Sequence, residues 1–174
     1  MLRLKQNDPR WGDIKMGQSN STLGRLGCMV TSLCMLHSKF HPDNPYLPDR
    51  AATHWVFVPV VGDPEPHYLS WTQTQFSGMK FIWRGYGYDP TTLITDPVTK
   101  EKDTTLNILK KYASHKDYGV ALFVETKKGN PHWLAAVGKA ILGWAASDPA
   151  NGKMLWFAPY PYKRITGWVI MQKA

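Results

Sequence analysis

The chain has 174 residues, 43% hydrophobic and 20% charged, which suits one packed domain and excludes a disordered chain. Lys and Arg outnumber Asp and Glu by 21 to 13, a formal charge of +8 that favours anionic partners such as an acidic polymer, a bacterial wall or a membrane surface, unless it is only a solvated basic surface. No dense Lys/Arg tract occurs, which sets nucleic acid aside, and no apolar run suits a signal peptide or a spanning helix. Membrane insertion is therefore not expected, and synthesis in a cytoplasm is.

Residues 1–27 read as extended or looped, with "NDPRWG" as a turn and Gly17, Gly24 and Gly27 as breakers. From Cys28 to Phe40 the pattern turns helical. Met29, Leu33, Leu36 and Phe40 form one apolar stripe, with Cys28, Ser32, Met35 and Lys39 on a second, and Pro42 and Pro45 end the element. Residues 42–100 are rich in Pro, Gly and aromatics. They read as short helices and loops over one side of the core, with "ATHWVFVPVVG" a short strand or helix end, suited to a lid or a substrate wall. "DTTLNILKKYASHK" opens with helix-cap chemistry and carries Leu106, Leu109 and Ala113 at helical spacing. "GVALFVE" reads as a buried strand, and "HWLAAVG", "ILGWAASD", "KMLWFA" and "ITGWVIMQ" as four more. Helices followed by strands predict one α+β domain over 1–174, a helical N-terminal part on a C-terminal antiparallel sheet.

The only two cysteines are Cys28 and Cys34. On one helix they are separated by about 9 Å of rise, beyond the roughly 7 Å that a disulfide spans. His37 and His41 share a face, but no zincin glutamate and no finger-type Cys pair accompanies them, so no metal or other cofactor is expected. Cys28 falls where a helix N-terminus is predicted, and the free N–H groups and dipole there favour a thiolate. A buried small hydrophobe is the competing reading.

A thiolate nucleophile also needs a base and a group to orient that base. Of six histidines only His132 opens an apolar strand, in "NPHWLAAVG". A hairpin turn centred on Ala140 would set Asp148 directly opposite His132, where it could fix the imidazole tautomer. A one-residue slip would put the two on opposite faces. Simpler readings stand beside these: a strand-end His satisfied by backbone, and a turn-forming Asp-Pro. The order Cys28, His132, Asp148 is that of papain-like enzymes.

The segments that carry these residues resemble a known family. "LKQNDPRWGDIKMGQSNSTLGRLGCMVTSLCML" resembles the N-terminal signature of peptidase family thirty-nine-like proteins, papain-like cysteine peptidases near the bacteriocin-processing double-glycine peptidases. "NPHWLAAVG" resembles their His-Trp strand, "SDPANGK" their Asp-Pro turn and "YKRITGWVIM" a common last strand. The resemblance spans roughly residues 4–40 and 104–172. It implies a papain-like fold with Cys28 as nucleophile, His132 as general base and acid, Asp148 as orienter and Gln6 as oxyanion-hole donor. An exposed polar Gln near a terminus is the plain alternative for Gln6. Gly27 and Trp133, beside the Cys and the His, are the candidate substrate contacts, though a Trp there also suits a core.

The expected function is therefore a monomeric cysteine peptidase or amidase. The preferred substrate is the peptide part of peptidoglycan, by endopeptidase or amidase action as in a phage lysin, virion-associated or released to the wall. With no transporter segment, leader-peptide processing is not expected. A protein-processing or effector protease is the alternative. So is a catalytically silent module that holds an anionic wall polymer.

Overall fold

The computed structural model describes residues 1–140, 143–157 and 163–174. Ile141, Leu142, Ala158 and Tyr162, which belong to the predicted strand segments, lie outside the described residues.

The helical part comes first. A four-residue helix, α1 (Leu23–Leu26), precedes the predicted helix α2 (Cys28–Phe40), which starts and stops where the apolar pattern does. The sequence predicts a loop where α1 stands, because Gly24 interrupts and Gly27 ends so short a turn. Helix α3 (Pro48–His54) has Pro in its first turn, where the missing N–H costs no helical bond.

The middle segment departs from the expectation of short helices and loops. After α3 it forms a hairpin of β1 (Phe57–Val60) and β2 (Asp63–Leu69), then β3 (Met79–Tyr86), then a hairpin of β4 (Leu93–Thr95) and β5 (Lys102–Thr104). Pro59, Pro64 and Pro66 read as turn signals, yet they sit in a two-stranded ribbon, where edge positions tolerate a missing donor. Strand β3 joins the main sheet against the last strand of the chain, a long-range pairing that no local pattern announces.

Helix α4 (Thr105–Ser114) leads into β6 (Tyr118–Glu125), β7 (Pro131–Ala140), β8 (Gly143–Asp148), β9 (Lys153–Phe157) and β10 (Arg164–Lys173). These five and β3 form one antiparallel sheet in the order β3-β10-β6-β7-β8-β9. The chain is thus α+β, with a helical N-terminal part and a six-stranded sheet.

Alternation along the strands gives the sheet two faces. Ala121, Ala135, Val169 and Met171 pack with α2, and Val120, Leu122, Leu134 and Ile170 pack with α4. The small Ala residues on the α2 side permit close approach of that helix. Ten of its thirteen residues are buried, so α2 is a central helix, covered on both of its stripes and beyond them.

Candidate active site

The residue before α2 is Gly27, which N-caps the helix with no side-chain hydrogen bond. A Cβ at Gly27 would lie 2.4 Å from the Leu23 carbonyl oxygen, so only glycine lets the chain turn from α1 into α2. The first α2 turn closes with Thr31 N–H donating to Gly27 O at 2.8 Å. The N–H groups ahead of Thr31 have no helical acceptor and face the end where Cys28 sits.

Cys28 is half-exposed and Cys34 fully buried, and both thiols are free. Burial pushes the Cys34 thiol well above its ordinary range, which keeps it protonated and inert. Cys28 is hydrogen-bonded to His132 at the head of β7.

His132 and Asp148 meet as expected, by a different register. The hairpin pairs Ala135 with Ser147 and Ala136 with Ala146, so Asp148 stands diagonal to His132 instead of directly opposite. Nearer the turn, Gly138 pairs with Ala145 and Ala140 with Gly143, an odd register. Carried straight on, that register would set Asp148 opposite Ala135 and turn it away from His132. The bulge between Ala136 and Gly138 adds one residue to β7 and restores the parity. The irregularity is what brings the two side chains to one face.

His132 Nε2 donates to Asp148 Oδ1 at 2.8 Å, with the two side chains only 12% and 6% exposed. An ionised carboxylate accepts only, so the proton sits on Nε2 and Nδ1 is left for Cys28. Asp148 also serves its turn: Ala150 N–H donates to Oδ1 at 2.8 Å, and Asn151 Nδ2 donates to Oδ2 at 3.4 Å. Asp148 therefore both ties its turn and hydrogen-bonds the imidazole. Burial pulls the His132 pKa down, but hydrogen bonds to Asp148 and Cys28, with the electrostatic pull of both partners, raise it from 6.5 to about 9. The imidazole is a cation at neutral pH.

Gln6 is braced from three sides. Its backbone N–H donates to Pro149 O at 2.7 Å, one residue after Asp148. Its Nε2 donates to Gly24 O at 3.0 Å, in α1 just ahead of Cys28. The carbonyl before it, Lys5 O, accepts from the Trp11 indole N–H at 2.7 Å, and Trp11 is 2% exposed. An amide nitrogen has two protons, so Gln6 Nε2 keeps one beyond Gly24. The partly buried Gln6 is not the free polar residue that its place near a terminus allows. Trp11 and Gly24 were legible only as motif and breaker, and their work on Gln6 appears only in three dimensions.

The remaining histidines have other partners. His37 bridges Tyr46 N–H and Ser77 O, His41 meets Gly78 O, and His54 pairs with the Tyr46 hydroxyl. His67 lies 3.3 Å from Asp63, and His115 accepts from Asp117 N–H. Among the described residues no group of three or more His, Cys, Asp or Glu is placed to hold a metal ion. No helix among them is long and apolar enough to cross a membrane. Trp133 is half-buried, stacked on Phe123 at 4.9 Å and near Trp71 at 6.4 Å.

Comparison with known proteins returns no family model, no curated protein and no solved structure that matches this chain.

Proposed function

We propose that this chain is a cysteine-dependent amide-bond hydrolase on a papain-like scaffold, acting on the peptide part of peptidoglycan. The observation that carries the chemistry is the Cys28–His132–Asp148 chain of hydrogen bonds at the uncapped start of α2. The basic charge of +8 supports an anionic wall as the setting.

In the proposed reaction the Cys28 sulfur attacks the scissile carbonyl carbon, and the carbonyl π pair moves to oxygen. The Cys28 N–H and the second Gln6 Nε2 proton stabilise that oxyanion. The tetrahedral adduct collapses, the C–N bond breaks, and the His132 imidazolium gives its proton to the leaving amine. A thioester remains. Neutral His132 then takes a proton from water, whose oxygen attacks the thioester carbonyl. Collapse expels the Cys28 thiolate, releases the acid and restores the imidazolium. Asp148 holds the ring throughout.

The test is release of free amines from purified peptidoglycan, alongside thiol labelling of the same protein. Expected is amine release by the wild type, none by Cys28→Ala, and labelling at mildly acidic pH confined to Cys28. Labelling that goes to Cys34 would overturn the site. No amine release from walls of any cross-link type, with a defined cut in a protein substrate, would move the substrate to proteins. Binding to walls that survives Cys28→Ala, with no hydrolysis by either form, would make the chain a binding module.

A further inference from the structure

Six of the tryptophans fall into two groups. Trp11, Trp55, Trp144 and Trp168 are 2–4% exposed and belong to the cores. Trp71 and Trp133 are half-buried, and so are Phe81 and Phe123. These last four rings form one continuous row. Phe123 stacks on Trp133 at 4.9 Å, Trp133 lies 6.4 Å from Trp71, and Trp71 lies 5.3 Å from Phe81. The row runs from Phe123 through Trp133, the residue after His132 in β7, to a cavity of about 710 Å³ walled by Trp71, Phe76 and Phe81. That volume falls in the range that takes a drug-sized ligand.

The far wall of the cavity is held rigidly. Ser77 has φ +44° and Gly78 φ +92°, and a serine in that region is costly unless its surroundings hold it. Both carbonyls are clamped from α2, Ser77 O by His37 Nε2 at 2.7 Å and Gly78 O by His41 Nε2 at 3.0 Å. The helix that carries Cys28 at one end thus fixes this wall from the other. The rim is polar: Thr72, Gln75 and Lys80 line the cavity and are exposed.

We infer that this aromatic row is a glycan-binding subsite, which holds a sugar chain of the substrate while Cys28 acts on an attached peptide. A pyranose has an apolar C–H face and a rim of hydroxyls. Its weakly positive C–H groups pack on the negative face of an indole, and its hydroxyls seek amide, hydroxyl and ammonium partners. Half-exposed flat rings beside Thr72, Gln75 and Lys80 match both demands. A pocket for one large apolar side chain would instead close around it and exclude water. The row extends across several rings, which suits a polymer, and Lys80 complements the anionic character of a wall. The inference rests on the proposed amide hydrolysis for its purpose, but its test does not.

The experiment uses the full chain carrying Cys28→Ala, so that nothing is turned over. The probe is an N-acetylglucosamine oligosaccharide, followed by tryptophan fluorescence and calorimetry. Saturable binding is expected. Trp71→Ala should weaken it about tenfold, the loss of one ring contact. Because Trp71 also touches the core, the exposed pair Gln75→Ala and Lys80→Ala serves as a second variant and should weaken binding several-fold with an unchanged thermal transition. Absence of oligosaccharide binding, binding indifferent to both variants, or binding only of an aromatic peptide would overturn the glycan site. Oligosaccharide binding beside a wild type that cleaves no amide would keep the site and overturn the hydrolase reading.

Discussion

The two long helices that pack on opposite faces of the sheet begin in contrasting ways. Helix α4 is capped by Thr104, whose hydroxyl accepts from Asn107 N–H at 3.3 Å. Its far end is tied down too. Lys39 Nζ, reaching from α2, donates to the carbonyls of Ala113, His115 and Tyr118 at 3.0, 2.8 and 2.6 Å. Helix α2 begins on a glycine that offers no side-chain cap, and its first turn carries Cys28. A capped terminus spends its N–H groups on stability, whereas an uncapped one leaves them for an anion. By this contrast the α4 end is closed and the α2 end keeps its N–H groups open, as the proposed chemistry needs, and substitutions can break each half of the comparison separately.

The largest effect is expected at His132. His132→Ala removes the partner of the thiol and the donor to the leaving amine, and should lower kcat/KM about 10⁴-fold. Gln6→Ala comes next. Loss of one oxyanion donor should cost about 10²–10³ in kcat with KM little changed, measured on a soluble amide substrate. If KM changes instead, Gln6 positions substrate and does not meet the oxyanion.

Asp148→Asn tests the electrostatics of the pair. The His132 pKa of about 9 should appear as an alkaline limb, since rising pH removes the imidazolium that protonates the leaving amine. The sign for stability follows the same group. Its folded pKa lies above the ordinary 6.5, so the stabilisation is full below pH 6.5 and fades as pH rises through about 9. Asparagine keeps an acceptor oxygen but loses the charge, which is worth about 2 kcal/mol in such a hydrogen bond. The limb should move to lower pH, and the loss of stability on alkaline titration should begin earlier. A limb that stays in place would assign it to another group.

Much of the candidate site was legible in the sequence, and the reasons are local. A Gly-Cys step into an apolar run places Cys28 at a helix start, because glycine breaks and the apolar period resumes at once. His132 stands out by opening an apolar strand. Asp148 was placed on the correct face through parity, although the pairing is offset by two residues. The offset starts at the turn, where Ala140 pairs with Gly143, and the bulge beside Val137 makes it even; Gly138 is the local trace of that bulge. What stayed hidden depends on long-range contact. Trp11 bracing Lys5, β3 joining β10, and Trp71 laid beside Trp133 each depend on a residue or strand from a stretch whose local pattern speaks of turns.

The two helix starts can finally be exchanged in character. Gly27→Ser supplies α2 with a good capping side chain, which by propensity alone should stabilise it. The structure reverses that sign. Any Cβ at residue 27 meets Leu23 O at 2.4 Å and the Leu23 Cα at 2.7 Å, so backbone must shift. A net loss of about 1–3 kcal/mol is expected, read as a lower denaturation midpoint, and Cys28 labelling should slow as its setting moves. Thr104→Ala makes the opposite change at α4. It removes a cap on the helix that packs against the sheet face opposite α2, and should cost about 1 kcal/mol of stability. Peptide hydrolysis and its pH limb should be unaltered below the denaturation midpoint. A change in either would mean that α4 does more than hold the sheet.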